Sequence, residues 1–190
     1  MNTSDTATEL LDCAQSLVQQ RGFNAFSYKD LAEAVGIRTA SIHYHFKTKA
    51  DLGQALMERY LAELNVALAH IDARGRTPKS KLKKFIDLYR VTEAGGAICL
   101  CGSLASDHGT LPEAVQIEVD AYLRRSEEWL VSKLEEGAEA GDFHLGSSAR
   151  AHASTLLASL QGGLILTRAR SGSLRVIDDV ERSFFSTLEQ

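Results

Sequence analysis

Residues 27–52 read SYKDLAEAVGIRTASIHYHFKTKADL, and the spacing of small and apolar residues in this stretch predicts two short helices that cross at a steep angle. Ala32 is small enough for the second helix to approach the first closely. Gly36 can adopt the positive φ that a tight turn requires without a steric penalty. Ile42 follows six residues later and is expected to point back into the core between the helices. This spacing is typical of a helix-turn-helix.

The outer face of the second helix carries groups suited to the base edges that line the major groove of duplex DNA. This face comprises Thr39, Ala40, Ser41, His43 and Tyr44. Hydroxyl and basic groups near the ends of the two helices are suited to phosphate oxygens. They belong to Ser27, Tyr28, Arg38, Lys47 and Lys49. We therefore expect this segment to bind double-stranded DNA.

The charge distribution supports this expectation, although the net charge of the whole chain is −4. Residues 21–50 carry five basic and two acidic side chains, whereas the rest of the chain is net acidic. Local charge matters more than the total because salt screens charges that are farther apart than about 10 Å. The basic charge is concentrated where the chain would meet phosphates.

The run from Gly36 to Leu52 resembles the signature of the TetR family of transcriptional regulators. In that family an aromatic recognition-helix run is followed by Phe, two variable residues, Lys, and an acidic residue with Leu at the start of helix four. Gly22-Phe23 matches as well, but the family usually has Tyr where this chain has His43. The resemblance implies a repressor that binds a palindromic operator as a homodimer and is released by a small-molecule inducer.

Composition and periodicity predict an all-α fold of about nine helices without a sheet. Hydrophobic residues make up 44% of the chain, and only two prolines occur. The resemblance divides this fold into an N-terminal three-helix helix-turn-helix DNA-binding domain, residues 1–50, and a C-terminal helical ligand-binding and dimerisation domain, residues 51–190.

Capping residues and helix breakers predict where the helices begin and end. The first runs from Ser4 to Gln20, with Gly22 as a left-handed cap, and the next two cover residues 27–35 and 39–45. Later helices are expected to begin at Thr48, Thr77-Pro78, Cys99, Thr110, Ser147 or Ser148, and Ser173.

The resemblance also implies a small-molecule cavity, which is typically apolar with a few polar groups. The candidates for its apolar lining are Tyr60, Phe85, Tyr89, Cys99, Cys101, Leu104, Tyr122 and Trp129. The candidates for polar contacts are His108, His152 and Gln161. The competing interpretation is that most of these residues simply fill the core.

Cys99 and Cys101 allow an alternative on the same fold, a thiol-based sensor of oxidants or electrophiles. Such a sensor needs a low thiol pKa, which a helix start after Gly95-Gly96 would favour, and access to solvent. Residues 97–107 are similar to a Gly-Cys-Leu-x-x-x-Leu-x-x-Glu segment of one TetR subgroup, although Asp107 replaces Glu. The apolar neighbours of the two cysteines favour a core or pocket-lining role instead.

The last two predicted helices each carry an apolar stripe, and the resemblance implies that they form the dimer interface. The stripe residues are Leu156, Leu160, Gly163, Leu164, Thr167, Val180 and Phe184. Gly162-Gly163 within a helix costs about 1 kcal/mol per residue relative to Ala. Close approach of two helices across a two-fold axis would compensate this cost, and packing within one chain is the competing interpretation.

Other functional classes are disfavoured by the sequence. It contains no Ser-His-Asp arrangement, phosphate-binding glycine loop or His-Glu-x-x-His motif, so we expect neither enzymatic activity nor a cofactor. His43 and His45 lie two residues apart on a helix and do not share a face, which disfavours a metal site. The chain has no signal-peptide pattern and no apolar run of about 20 residues, so a cytoplasmic protein with no membrane partner is expected.

Overall fold

The computed structural model describes residues 3–170 and 175–188 and confirms the all-α architecture. The α-helices within these ranges are α1 Thr3–Arg21, α2 Tyr28–Val35, α3 Thr39–His45, α4 Lys49–Arg74, α5 Pro78–Ala94, α6 Leu100–Ser106, α7 Glu113–Glu139, α8 Ala149–Ala169 and α9 Val176–Leu188. Short 3₁₀ turns at Phe23–Ala25 and His108–Thr110 precede α2 and α7. Neither range contains a strand, and no helix in them is long and apolar enough to span a bilayer.

The chain folds as two compact units. Unit 1 comprises Met1–Glu63 and Leu100–Tyr122, and unit 2 comprises Leu64–Cys99 and Leu123–Gln190. Helices α4 and α7 each contribute residues to both units. Helix α6 therefore belongs with the helix-turn-helix, and it contacts α1. The functional division at residue 50 stays a prediction, because it concerns what each part binds and not how the parts pack.

Unit 1 is built on α1, α2 and α3, which bury Leu31 and Ile42 completely. A capping box fixes the start of α2: Ser27 Oγ accepts a hydrogen bond from the Asp30 amide, and the Asp30 carboxylate accepts one from the Ser27 amide. Gly36 ends the helix in the left-handed region, with a φ of 76°, where a side chain would be strained. These features confirm the predicted turn between the two helices.

The structure corrects two local predictions. Gly22 has a φ of 89° but a ψ of 159°, so it lies outside the left-handed helical region and leads into the 3₁₀ turn instead of forming a left-handed helical cap. Thr110 does not cap α7, because it lies in the 3₁₀ turn and donates to the carbonyl of Asp107. Helix α7 ends at Glu139, and the ring of Phe143 occupies the space that a side chain at Gly137 would need. The expected cap at Ser173 lies outside the described residues.

In unit 2, helix α8 packs closely against α9 because Gly163 has no side chain. A Cβ at this position would lie 3.0 Å from Ile177 Cδ1 and 3.3 Å from Val176 Cγ1. Glu93 completes the contact by accepting hydrogen bonds from Thr167 Oγ1 at 2.7 Å and from the amide of Val176 at 3.1 Å. A carboxylate is favoured there because the first amides of a helix lack partners within the helix.

A charged network joins the end of α4 to α5 and α7. Trp129 Nε1 donates to Asp72 Oδ2 at 2.9 Å, and Lys133 pairs with both Asp72 and Glu136. Lys81 Nζ lies 3.6 Å from Asp72 and 3.4 Å from Glu136. Burial acts to lower the pKa of Lys133, but hydrogen bonding to Glu136 and the nearby negative charges raise it overall. The side chain of Lys133 is only 8% exposed, so its charge depends on these two carboxylates.

We predict that Lys133→Met lowers the free energy of unfolding by about 1–3 kcal/mol, because Asp72 and Glu136 would lose their most buried partner. Both carboxylates are partly exposed, and hydration limits the loss. Urea unfolding at pH 7 measures the effect. The control is Lys84→Met at an exposed position of α5, which should change stability by less than about 0.5 kcal/mol. Equal losses in the two variants would contradict the role given to the network.

Candidate nucleic-acid interface

Helix α3 buries one face and presents the other to solvent. Ile42 is completely buried, whereas Tyr44 is 77% exposed. The exposed residues on this surface, which we name the α3 outer face, are Thr39, Ala40, Ser41, His43 and Tyr44. Every residue that the sequence predicts to contact bases therefore lies on the accessible side of the helix.

Tyr28 connects the start of α2 to the turn after α3. Its hydroxyl lies 3.1 Å from the carbonyl oxygen of Phe46 and 2.5 Å from that of Thr48. Its ring packs on the imidazole of His43, with the centroids 4.9 Å apart. Burial, with a contribution from the charge of Asp51, raises the pKa of Tyr28 to about 12, so the hydroxyl keeps its proton. The hydroxyl predicted to contact phosphate thus donates to the α3–α4 turn in this structure.

Lys49 is also engaged within the chain. Its Nζ donates to the carbonyl of Phe23 at 2.6 Å and to that of Phe26. The same ammonium group lies 4.8 Å and 4.2 Å from the centroids of these two phenylalanine rings, a cation–π geometry. Burial lowers the pKa of Lys49 in spite of the nearby carboxylates. Lys49 therefore positions the segment before α2, and its predicted phosphate contact stays a prediction.

The other predicted phosphate contacts, Ser27, Arg38 and Lys47, are exposed. Ser27 Oγ donates to Asp30 Oδ2 at 2.5 Å, so its hydroxyl serves the cap of α2. Arg38 precedes α3 in an extended conformation, and Lys47 follows the C-cap residue Phe46. The two basic side chains thus flank the α3 outer face at its two ends.

The segment that follows α6 contacts the residues that precede α2, a feature that sequence reasoning missed. Asp107 Oδ2 accepts a hydrogen bond from the amide of Phe23 at 3.1 Å, and Asn24 Nδ2 donates to Thr110 Oγ1 at 2.7 Å. Ser103 Oγ, inside α6, donates to the carbonyl of Val18 at 2.9 Å. The partners lie more than 80 residues apart in the sequence, and no local sequence pattern predicts such pairs.

The residues predicted to line a ligand cavity fall into separate groups. In unit 2 the ring of Phe85 stacks on that of Trp129, with centroids 5.5 Å apart, and lies 5.8 Å from the ring of Tyr89. Gln161 Nε2 lies 3.3 Å from the hydroxyl of Tyr89. These four side chains form one contiguous cluster, which we name the aromatic cluster.

The candidates in unit 1 have different surroundings. Tyr60 and Tyr122 stack with centroids 4.8 Å apart, and Leu104 is completely buried. His108 lies in the exposed 3₁₀ turn before α7, which gives no support to a contact inside a cavity.

The thiols of Cys99 and Cys101 are buried, with exposures of 3% and 0%. Cys101 Sγ lies 3.8 Å from the carbonyl oxygen of Val119. This burial agrees with the core or pocket-lining interpretation, because a thiol sensor needs solvent access.

The predicted dimer stripe lies largely inside the chain. Leu156, Leu160, Leu164 and Thr167 are buried, and Gly163 faces α9. The exposed side of α8 instead carries Ala151, Thr155, Ala158, Ile165 and Leu166. An amphipathic pattern locates the buried face of a helix but does not show whether its own chain or a partner covers that face.

A groove of about 470 Å³ runs between α8 and α9 on this exposed side. His152, Thr155, Val180 and Phe184 are among the residues that line it. His152 Nε2 is buried and has no hydrogen-bond partner among the described residues. The groove therefore brings together His152, predicted to contact ligand, with Val180 and Phe184, predicted to contact a second copy.

Comparison with known proteins identifies the family. A family model described as bacterial regulatory proteins, tetR family, matches residues 10–56. The structure of a TetR-family transcriptional regulator from Agrobacterium tumefaciens has 33% sequence identity and a TM-score of 0.94, covering 98% of this chain and 99% of that one. The chain belongs to the TetR family.

A TetR transcriptional regulator from Legionella pneumophila has 32% identity and a TM-score of 0.88, with 99% of this chain and 100% of that chain covered. Among curated TetR-type proteins, the HTH-type transcriptional repressor KstR2 of Rhodococcus jostii is 31% identical over 83 residues, which are 44% of this chain and 41% of that protein. The chain thus matches about two fifths of the length of that curated relative.

We predict that Lys49→Met lowers the free energy of unfolding by about 1–2 kcal/mol, because two carbonyls would lose a charged donor. Lys47→Met removes the same charge two residues away from an exposed position and should cost less than about 0.5 kcal/mol. Thermal and urea unfolding of the two variants measure the difference. If Lys47→Met is the more destabilising change, the positioning role of Lys49 is wrong.

Proposed function

We propose that this TetR-family regulator is a ligand-responsive repressor that binds a palindromic operator as a homodimer, with α3 as its recognition helix. A helix of this width fits the major groove, and two copies related by a two-fold axis would meet half-sites about 34–36 Å apart. A small-molecule inducer that binds unit 2 would release the operator.

The observation that carries this proposal is the exposure of the α3 outer face on a helix that is fixed in position. Ile42 is buried, and Tyr28 donates a hydrogen bond to the turn that follows the helix. Tyr44, by contrast, does not pack in the core. Arg38 and Lys47 place positive charge at both ends, as contact with two phosphate strands requires. A helix that merely completed a core would not leave its largest aromatic side chain 77% exposed.

Selection from a randomised duplex library by the purified chain tests the proposal, followed by affinity measurements on the enriched sequence at 150 mM salt. We predict that Tyr44→Ala weakens binding to this operator at least fivefold but changes binding to scrambled DNA little, because base contacts give specificity. Arg38→Ala should weaken binding to both DNAs and lower the magnitude of the slope of log affinity against log salt concentration by about one.

The matched control for charge is Lys84→Ala on α5, which is exposed and lies in unit 2. It should leave operator affinity within twofold of the wild type. If no sequence is enriched, or if the enriched sequence binds no better than its scrambled version, DNA recognition by α3 fails.

We place the dimer interface on the exposed side of α8 and in the groove beside α9, which includes Val180 and Phe184 of the predicted stripe but not its buried α8 residues. Ile165 and Leu166 are 49% and 53% exposed, and they continue the row of small residues Ala151, Thr155 and Ala158. A Cβ at Gly162 would meet nothing within 4 Å, which leaves room for a helix of a second copy. The groove beside α9 extends the same surface.

We predict that Leu166→Asp converts the dimer to monomer at micromolar concentration, because a buried unpaired carboxylate opposes association. Val66→Asp introduces the same charge at a position of α4 that is 71% exposed, and this variant should remain dimeric. Sedimentation velocity distinguishes the two. A monomeric wild type, or a dimeric Leu166→Asp variant, contradicts this placement.

For the inducer, we propose the aromatic cluster of unit 2 as the contact region. Phe85, Tyr89 and Trp129 offer apolar surface, and Gln161 offers an amide for orientation. The side chains pack on one another in this structure, so a ligand would have to separate them. It could shift DNA binding only by its difference in affinity between the two conformations. The burial of Cys99 and Cys101 favours such reversible binding over covalent sensing.

A further inference from the structure

His43 departs from the usual family residue at its position, and its hydrogen bond defines its chemistry. His43 Nδ1 lies 3.0 Å from the carbonyl oxygen of Lys47. A carbonyl oxygen accepts hydrogen bonds and cannot donate them. Nδ1 must therefore carry a proton for this contact to be favourable.

Two further contacts keep the ring in this orientation. The ring of Tyr28 packs against the imidazole at 4.9 Å, with an interplanar angle of 62°. Tyr28 is itself held by its hydroxyl, which donates to the carbonyls of the turn between α3 and α4. His43 is nevertheless exposed on the α3 outer face, so it is fixed in direction and accessible at the same time.

A neutral imidazole with a proton on Nδ1 has an unprotonated Nε2, whose lone pair accepts a hydrogen bond. No hydrogen bond to Nε2 occurs among the described residues. We propose that His43 Nε2 accepts a hydrogen bond from a base amino group in the major groove, either N6 of adenine or N4 of cytosine. This inference rests on the proposed function, because it requires α3 to enter the groove.

The fixed proton gives the position a preference that neither a tyrosine nor an amide would have. Guanine N7 and O6 and thymine O4 are acceptors in the major groove, and each would face the lone pair of Nε2 without a proton between them. A tyrosine hydroxyl can donate or accept, and so can the two ends of a glutamine side chain. His43 therefore discriminates between bases through its hydrogen bond to the backbone of Lys47.

The test compares sequences selected by the full-length wild type and by His43→Ala at pH 8, with Ser41→Ala as a second variant on the same face. One base pair of each half-site should lose its preference in His43→Ala and keep it in Ser41→Ala, whose own effect should fall on a different base pair. A second operator is then made in which the base at that pair lacks its amino group: purine replaces adenine, or pyrimidin-2-one replaces cytosine. The replacement should weaken wild-type binding about fivefold to tenfold and leave His43→Ala binding within twofold.

Three results would overturn the inference while leaving DNA binding intact. In the first, His43→Ala selects the same sequence as the wild type. In the second, removal of the amino group has no effect on wild-type binding. In the third, binding is weakened instead by 7-deazaguanine, which lacks the N7 acceptor of guanine and would show that His43 donates a hydrogen bond. If neither protein enriches any sequence, the proposed function falls together with this inference.

A measurement on the free protein tests the protonation state without DNA. Long-range proton–nitrogen correlation at pH 8 should show His43 Nδ1 as the protonated ring nitrogen and Nε2 as the unprotonated one, with the assignment made by the loss of signals in His43→Ala. The reverse pattern would overturn the inference. Tyr28→Leu, which removes the packed ring, should increase the proportion of the other tautomer, whereas Tyr28→Phe should have the smaller effect.

Discussion

A seven-residue helix is too short to be stable by itself in water, so the orientation of α3 depends on the groups that hold its ends. The hydroxyl of Tyr28 donates to the carbonyls just after the helix, and the ammonium of Lys49 donates to the carbonyls just before α2. The Thr48 carbonyl also accepts a hydrogen bond from the amide of Leu52 in the first turn of α4, so the Tyr28 hydroxyl connects α2 to the start of α4 as well as to the end of α3. On the outer face of α3, His43 contacts Lys47 and Tyr28, whereas Tyr44 is left 77% exposed.

This arrangement links α3 to residues far away in the sequence. Asp107 accepts a hydrogen bond from the amide of Phe23, next to the carbonyl that Lys49 contacts. Helix α6 lies in the same compact unit as α1–α3, and Ser103 bonds to the end of α1. Any displacement of α6 would act on the segment that sets the position of α2 and α3.

Local features could be predicted from the sequence because their causes are local. The cap at Ser27, the left-handed Gly36 and the limits of α3 follow from neighbouring residues, and the structure reproduces them. The engagement of Lys49 and Tyr28 could not be predicted, because a basic or hydroxyl group beside a recognition helix suits a phosphate as well as a carbonyl. The dimer stripe stays a prediction. The sequence alone could not show that Gly163 packs against α9 of the same chain, whereas a Cβ at Gly162 would meet nothing within 4 Å.

The central claim is that the outer face of α3 contacts DNA bases, and site-specific photocrosslinking tests it most directly. A benzophenone amino acid in place of Tyr44 is irradiated in the complex with the selected operator, and the same amino acid in place of Val66 serves as the reference. The account predicts a crosslink from position 44 to a base within each half-site and none from position 66. Crosslinking from position 66 alone, or none from position 44 in a complex that still forms, would contradict it.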